Sequence, residues 1–178
     1  RMCRKRKCMT LWISLKKDFK KNKEKSYMTV IYVILAALII AADRLSKIFT
    51  VSAAEVGGKF GEIPYLADFI YVKNTGAAFS MFSGKVSALS VISALFCIGV
   101  IVYFIVKKPK SKLMCTSLAL LFSGAAGNAI DRIANGYVVD FISLKFINFP
   151  VFNIADIAIT VGAALLVIYM IFFDREQS

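Results

Sequence analysis

The sequence contains no histidine. That excludes Ser–His–Asp triads, HExxH zinc sites and any proton relay through imidazole, so acid–base work must fall to Asp, Glu, Lys, Tyr or Cys. Acidic residues are scarce, 11 against 23 lysines and arginines, which leaves a net charge of +12. The four cysteines form no metal-type pair. Cys97 and Cys115 lie in apolar stretches, where a thiol usually packs as a small hydrophobe, and Cys3 and Cys8 lie in a basic arm. No internal repeat and no low-complexity linker divides the chain.

Charge is also missing from four long stretches, residues 27–42, 86–106, 113–130 and 157–173. A helix needs roughly 20 mostly apolar residues to cross a bilayer core about 30 Å thick. The second stretch meets that alone, and the others do so by continuing a few residues into polar sequence. Apolar residues make up 58% of the chain and the mean hydropathy is +0.69, against about 45–50% apolar in an ordinary soluble domain. The expected fold is an all-α membrane protein: a bundle of four transmembrane helices over about 27–50, 86–106, 113–134 and 153–173, with small β-containing loops outside the cytoplasm.

The positive charge is placed rather than spread. Arg1, Arg4, Lys5, Arg6, Lys7, Lys16, Lys17, Lys20, Lys21, Lys23 and Lys25 precede the first span, and Lys107, Lys108, Lys110 and Lys112 fill the link between the second and third. Basic residues stay on the cytoplasmic side, so both termini and that link are expected inside, with the connections 51–85 and 135–152 outside. Basic arms contact anionic membrane lipid, and an amphipathic helix around residues 11–19 would lie on the inner surface. A nucleic-acid partner is not expected, because no recognition fold accompanies the arm. The first apolar stretch is long for a removable signal peptide and is followed at once by polar residues in helical register, so it reads as a retained span. With Arg1 in place of Met at the opening, a natural start other than this residue is the expectation. In the connections, Phe69-Ile-Tyr-Val and Tyr137-Val-Val-Asp-Phe-Ile read as short strands.

Ionisable groups inside spans cost a few kcal/mol and are functional-site hypotheses by default. Here they gather at one side. Asp43 and Lys47 are four apart near the outer end of the first span, sharing a helical face. Asn128, Asp131 and Arg132 share another face near the outer end of the third span. Asn153 and Asp156 begin the fourth, while Asn74, Thr75, Gly76 and Asp140 come from the two outer loops. Plain readings exist for several of them: ion pairs anchoring helix ends for Asp43 with Lys47 and for Asp131 with Arg132, interhelical glue for Asn128, and an ordinary turn at residues 74–76. Asp156 is harder to dismiss, since Ile154, Ala155, Ile157 and Ile159 surround it. Two carboxyls held close share one proton, and such a pair can activate water and protonate a leaving amide without metal or cofactor. From spacing alone Asp140, Asp156, Asp131 and Asp43 are all candidates, with no firm pair among them.

Four segments in order make the sequence resemble the lipoprotein signal peptidases (signal peptidase II) over roughly residues 35–172: Asp43-Arg-Leu-Ser-Lys47; Lys73-Asn-Thr-Gly-Ala-Ala-Phe79; Gly127-Asn-Ala-Ile-Asp-Arg132 with Gly136-Tyr-Val-Val-Asp-Phe141; and Phe152-Asn-Ile-Ala-Asp156. The resemblance implies a membrane aspartic endopeptidase whose catalytic pair is Asp140 and Asp156. It implies that Asn74, Gly76, Asn128, Arg132 and Asn153 hold the substrate backbone or the pair. Asp131, Asp43 and Lys47 then support the site or position the substrate. The substrates it implies are diacylglyceryl-modified prolipoproteins, cut before the lipid-bearing cysteine at the outer face of the bacterial cytoplasmic membrane. It further implies inhibition by globomycin-type peptides; no cofactor and no metal are needed for paired-acid chemistry, and a monomer is expected. The chain then divides into a basic cytoplasmic arm, 1–26, longer than the family leads one to expect, and a peptidase domain, 27–174. A channel would spread polar groups through the membrane thickness, and a non-catalytic subunit would tolerate loss of either aspartate.

Overall fold

The structure is a computed structural model that describes the backbone of residues 2–76 and 84–173 and the side chains of residues 27–76 and 84–173. Four helices, α1 (Met2–Ala53), α2 (Val86–Lys107), α3 (Lys112–Asn135) and α4 (Ile154–Phe172), carry the four uncharged stretches. Three strands, β1 (Lys59–Ile63), β2 (Ala67–Asn74) and β3 (Val138–Leu144), lie in the connections α1–α2 and α3–α4. The chain divides into two compact units, Arg1–Leu35 and Ala36–Ser178. The first is helical from Met2 onward, so the amphipathic helix expected around residues 11–19 falls within a longer one, and its side chains lie outside the described residues. All that follows concerns the second unit unless stated.

Segments Tyr27–Ala53, Val86–Lys107, Lys112–Asn135 and Ile154–Phe172 are each long and apolar enough to cross a membrane, with mean hydropathies of 2.0, 2.7, 1.5 and 2.3. The least hydropathic, α3, is the most enclosed, burying Ser117, Ser123, Asn128 and Asp131 along with its apolar residues. Ser117 and Ser123 spend their hydroxyls on carbonyls of their own helix, those of Met114 and Leu120. Large side chains such as Leu45, Ile48, Leu95, Ile98, Ile133 and Val161 face outward, as helices dissolved in lipid require. Helix α2 stops where Lys108 turns into the left-handed region (φ 46), immediately before Pro109. Helix α3 starts under the Ser111 hydroxyl, which accepts the Met114 N–H at 3.4 Å.

Close approach of α3 and α4 depends on two glycines. A Cβ at Gly124 would lie 2.3 Å from the Ala155 carbonyl oxygen, and one at Gly162 in α4 would lie 2.9 Å from the Ser117 carbonyl oxygen. Small residues let backbones meet in a bundle that no hydrophobic effect drives together. Here they also bring α4's first turn against α3.

The sheet is antiparallel in the order β1-β2-β3. Its central pairing joins the two connections: Val72 faces Asp140, Lys73 faces Val139 and Asn74 faces Val138. The return toward α4 runs beside β3, where Phe152 and Ile142 exchange hydrogen bonds at 2.8 and 3.0 Å. Strand β1, with its mixed sequence Lys-Phe-Gly-Glu-Ile, adds to the two strands expected from sequence.

Candidate active site

Asp140 sits in the middle of β3 and is almost completely buried. Asn74 Nδ2 donates to one of its oxygens at 2.8 Å and Asn153 Nδ2 to the other at 2.6 Å. Asp156 lies in the first turn of α4, half-buried. Its Oδ1 accepts from Asn128 Nδ2 at 2.8 Å and its Oδ2 from the Asn153 backbone N–H at 3.2 Å. Asn153 therefore holds both carboxyls, one through its side chain and one through its backbone. Its own orientation is fixed because its Oδ1 caps α4, accepting the Asp156 N–H at 3.0 Å. Asn74 is fixed likewise by an Asx turn in which its Oδ1 accepts the Gly76 N–H at 2.9 Å.

Burial is the main influence on Asp140, and it outweighs the two amide donors, which favour the ionised form. The negative charge of Asp156 pushes the same way as burial, and the carboxyl is raised from 3.8 to about 7. One buried carboxyl that keeps its proton near neutrality beside a second carboxyl is the arrangement that paired-acid hydrolysis needs.

Beneath the pair lies a charge cluster of zero net charge. Lys47 Nζ, fully buried, contacts Asp43 Oδ2 at 2.8 Å, Asp131 Oδ2 at 2.9 Å and Asn128 Oδ1 at 3.1 Å, which uses its three donors. Arg44 pairs with the other oxygen of Asp131. The two acids also hold backbone: Asp43 Oδ1 accepts the Ala155 N–H at 3.0 Å, and Asp131 Oδ2 accepts the Val139 N–H at 3.2 Å. These are the residues directly before Asp156 and Asp140. The cluster thus grips α4 and β3 one residue short of each candidate acid.

A family model described as signal peptidase (SPase) II matches residues 35–172. The chain belongs to the signal peptidase II family. The lipoprotein signal peptidase of Lactobacillus johnsonii is 42% identical over 148 residues, covering 83% of this chain and 96% of that protein. That of Clostridium acetobutylicum is 40% identical over 151 residues, covering 82% and 96%. A solved structure described as a bacterial membrane enzyme superposes with a TM-score of 0.77 at 31% identity, covering 83% of this chain and 91% of its own. As a member of the signal peptidase II family, the chain is a peptidase and a multi-pass membrane protein.

Within this family member, the residues singled out from sequence come together: Asn74, Asn128, Asn153, Asp140 and Asp156 in one hydrogen-bonded group, with Asp43, Lys47 and Asp131 behind it. The ion pair expected between Asp131 and Arg132 is replaced. Asp131 turns to Lys47 and Arg44, while Arg132 donates from Nη2 to the Gly76 carbonyl at 3.2 Å, tying α3 to the turn after β2. Residues adjacent in a helix point about 100° apart, so Asp131 and Arg132 face different neighbours. Ala77, Ala78 and Phe79 of the second segment lie outside the described residues. Sequence reasoning missed Arg44 as a site residue. A cation beside Asp43 within an apolar helix was the available signal, since a buried set of two acids and Lys47 alone would carry a net negative charge.

Proposed function

We propose that this peptidase removes the signal peptide from diacylglyceryl-modified prolipoproteins, cutting before the lipid-bearing cysteine, with Asp140 and Asp156 as its catalytic pair. The observation that carries the assignment is Asn153, which bonds Asp140 through its side chain and Asp156 through its backbone and so fixes the two acids against each other. Asp156, the more exposed of the two, takes a proton from water as the oxygen attacks the scissile carbonyl. Asp140 holds the proton of the pair near neutral pH and gives it to the carbonyl oxygen as that oxygen gains charge. On collapse of the gem-diol the C–N bond breaks, the proton taken up by Asp156 passes to the leaving amide nitrogen, and a diol hydroxyl returns its proton to Asp140. Asn74, Gly76, Asn128, Arg132 and Asn153 position the pair and the peptide backbone, and the Asp43–Lys47–Asp131 cluster supports them. No metal or cofactor takes part in this scheme.

The basic residues before Tyr27 and in the α2–α3 link favour a cytoplasmic location for both termini. The sheet and the candidate pair then lie at the outer face of the bacterial cytoplasmic membrane, where a lipid-anchored substrate presents its peptide bond. Residues 1–26 form a basic cytoplasmic arm along anionic lipid, and residues 27–174 a monomeric peptidase domain that is the target of globomycin-type peptides.

The test is cleavage of a diacylglyceryl-modified prolipoprotein by purified protein in detergent. Cleavage should proceed without added metal and in the presence of chelator. Asp140→Asn and Asp156→Asn should each lower it by at least about 10²-fold while leaving the circular dichroism spectrum and thermal transition in place. Full activity in either variant, or activity abolished by chelator, would overturn the assignment.

A further inference from the structure

Strand β3 leaves the candidate site at Val138 and runs to Leu144, a reach of about 20 Å at roughly 3.3 Å per residue. A sheet of that length can stand up into water or lie along the bilayer. Its far end distinguishes the two. There the β1–β2 turn and the β3–α4 connection are joined by the Lys145 N–H, which donates to the Leu66 carbonyl at 3.0 Å. Around this joint Ile63, Leu66 and Ile147 are exposed, Phe146 is 61% exposed and Tyr65 is 91% exposed. Neither residues 63–66 nor residues 146–149 include a charged side chain. Tyr65 has φ 62, a left-handed conformation that bulky residues seldom adopt and that persists where surrounding structure enforces it.

Directly behind this apolar point stands a closed ring of charges. Lys59 pairs with Glu62 at 2.5 Å and Asp68 at 2.7 Å, and Lys145 pairs with the same two at 2.7 and 3.0 Å. An uncharged tip bearing aromatic and branched side chains, backed by a ring of ions, has the order of a bilayer surface: acyl chains first, headgroups next. The tip is also tethered to that surface, because Ile154 opens the spanning helix α4 seven residues after Ile147.

We propose that the paired tip of the sheet, Ile63, Tyr65, Leu66, Phe146 and Ile147, inserts into the membrane interface with the Lys59–Glu62–Asp68–Lys145 ring at headgroup depth. It provides a membrane contact beyond the four spans and holds the strand bearing Asp140 along the bilayer surface. The inference rests on the membrane-spanning helices and not on the catalytic assignment.

The sequence has one tryptophan, Trp12, so a single-tryptophan reporter is available. Phe146→Trp in a Trp12→Phe background is reconstituted as the full chain in phosphatidylcholine–phosphatidylglycerol vesicles containing brominated phosphatidylcholine, without substrate. Leu66→Trp serves as a second reporter, and circular dichroism checks that each folds. Emission should be quenched at least about twofold by bromines near the glycerol end of the acyl chain, less by deeper bromines, and equally at all protein-to-lipid ratios. Emission quenched by aqueous iodide and not by bromolipid would overturn the proposal. So would bromolipid-independent shielding that disappears when the protein is diluted in lipid, which points to a second copy. Shielding that develops only when prolipoprotein is added would equally overturn it, pointing to the substrate as occupant.

Discussion

Asn153 donates its side-chain amide to Asp140 across 2.6 Å while capping the helix that begins with Asp156. Asn153→Ala removes both bonds. Loss of the cap should cost about 1 kcal/mol of stability, a modest fall in melting temperature, whereas cleavage should fall by on the order of 10²-fold because Asp140 loses the side chain that ties it to the first turn carrying Asp156. Asn153→Asp separates the two roles. Aspartate caps a helix as well as asparagine but replaces the buried donor to Asp140 with an acid, so the cap should be kept, the melting temperature should fall through the unpaired buried acid, and the pH–rate profile should be displaced to higher pH. A profile unchanged in position would count against Asn153 acting on Asp140.

The buried carboxyl of Asp140 gives a signed pH dependence. Its proton is held up to about pH 7 in the folded protein, against 3.8 ordinarily. Below the ordinary value both states are protonated and the group has no effect on their difference. As pH rises from there, the unfolded chain releases the proton first, so stability should fall by roughly 4 kcal/mol before levelling off above about pH 7. Melting curves collected across that window should show the decline, and Asp140→Asn should flatten it. With Asp140 as the proton donor, cleavage should also decline as pH rises through about 7.

Lys47 is the single ammonium bonded to Asp43, Asp131 and Asn128 together. Lys47→Met strands two buried acids and should cost about 3–5 kcal/mol, visible as loss of folded protein on size-exclusion chromatography. Arg44, the partner of the remaining Asp131 oxygen, is partly exposed. Arg44→Gln should cost less, and Arg44→Lys should recover most of the melting temperature because it restores the cluster's neutrality.

Two glycines in neighbouring helices should respond oppositely to the same change. At Gly124 a methyl group would stand 2.3 Å from the Ala155 carbonyl. Gly124→Ala should therefore push α4 away from α3 next to Asp156, with a loss of about 1–3 kcal/mol and a marked fall in cleavage. Gly99 in α2 has open space around it, and Gly99→Ala should be neutral or raise stability by up to about 1 kcal/mol through helix propensity. Paired melting and cleavage measurements would compare the two.

How far the sequence foretold this arrangement differs from element to element. The helices were legible because four long uncharged, apolar runs in so short a chain exceed what a water-soluble core of this size can bury, and a bilayer accommodates them as helices. Strands β2 and β3 were legible from β-branched and aromatic runs, whereas β1, alternating Lys59, Gly61 and Glu62 with two apolar residues, carries too weak a pattern. The convergence of Asn74, Asn128, Asp140, Asn153 and Asp156 could be anticipated as a shared membrane depth but not as a bonded group, because the β2–β3 pairing joins residues more than 60 positions apart. The N–H groups of Val139 and Ala155, which fasten the supporting acids to β3 and α4, are invisible in a sequence, since every residue but proline has one. Arg44 was passed over because its partner lies 87 residues away.

The ladder between β2 and β3 stitches two stretches of chain that meet covalently at the short α2–α3 link. Asn74 and Lys47 lie before that link; Asn128, Asp131, Asp140, Asn153 and Asp156 lie after it. Severing the backbone at Pro109 would leave every one of those side chains on a fragment that keeps two complete helices and its own share of the sheet. Two separately translated pieces should thus find each other in the bilayer and complement into a working enzyme.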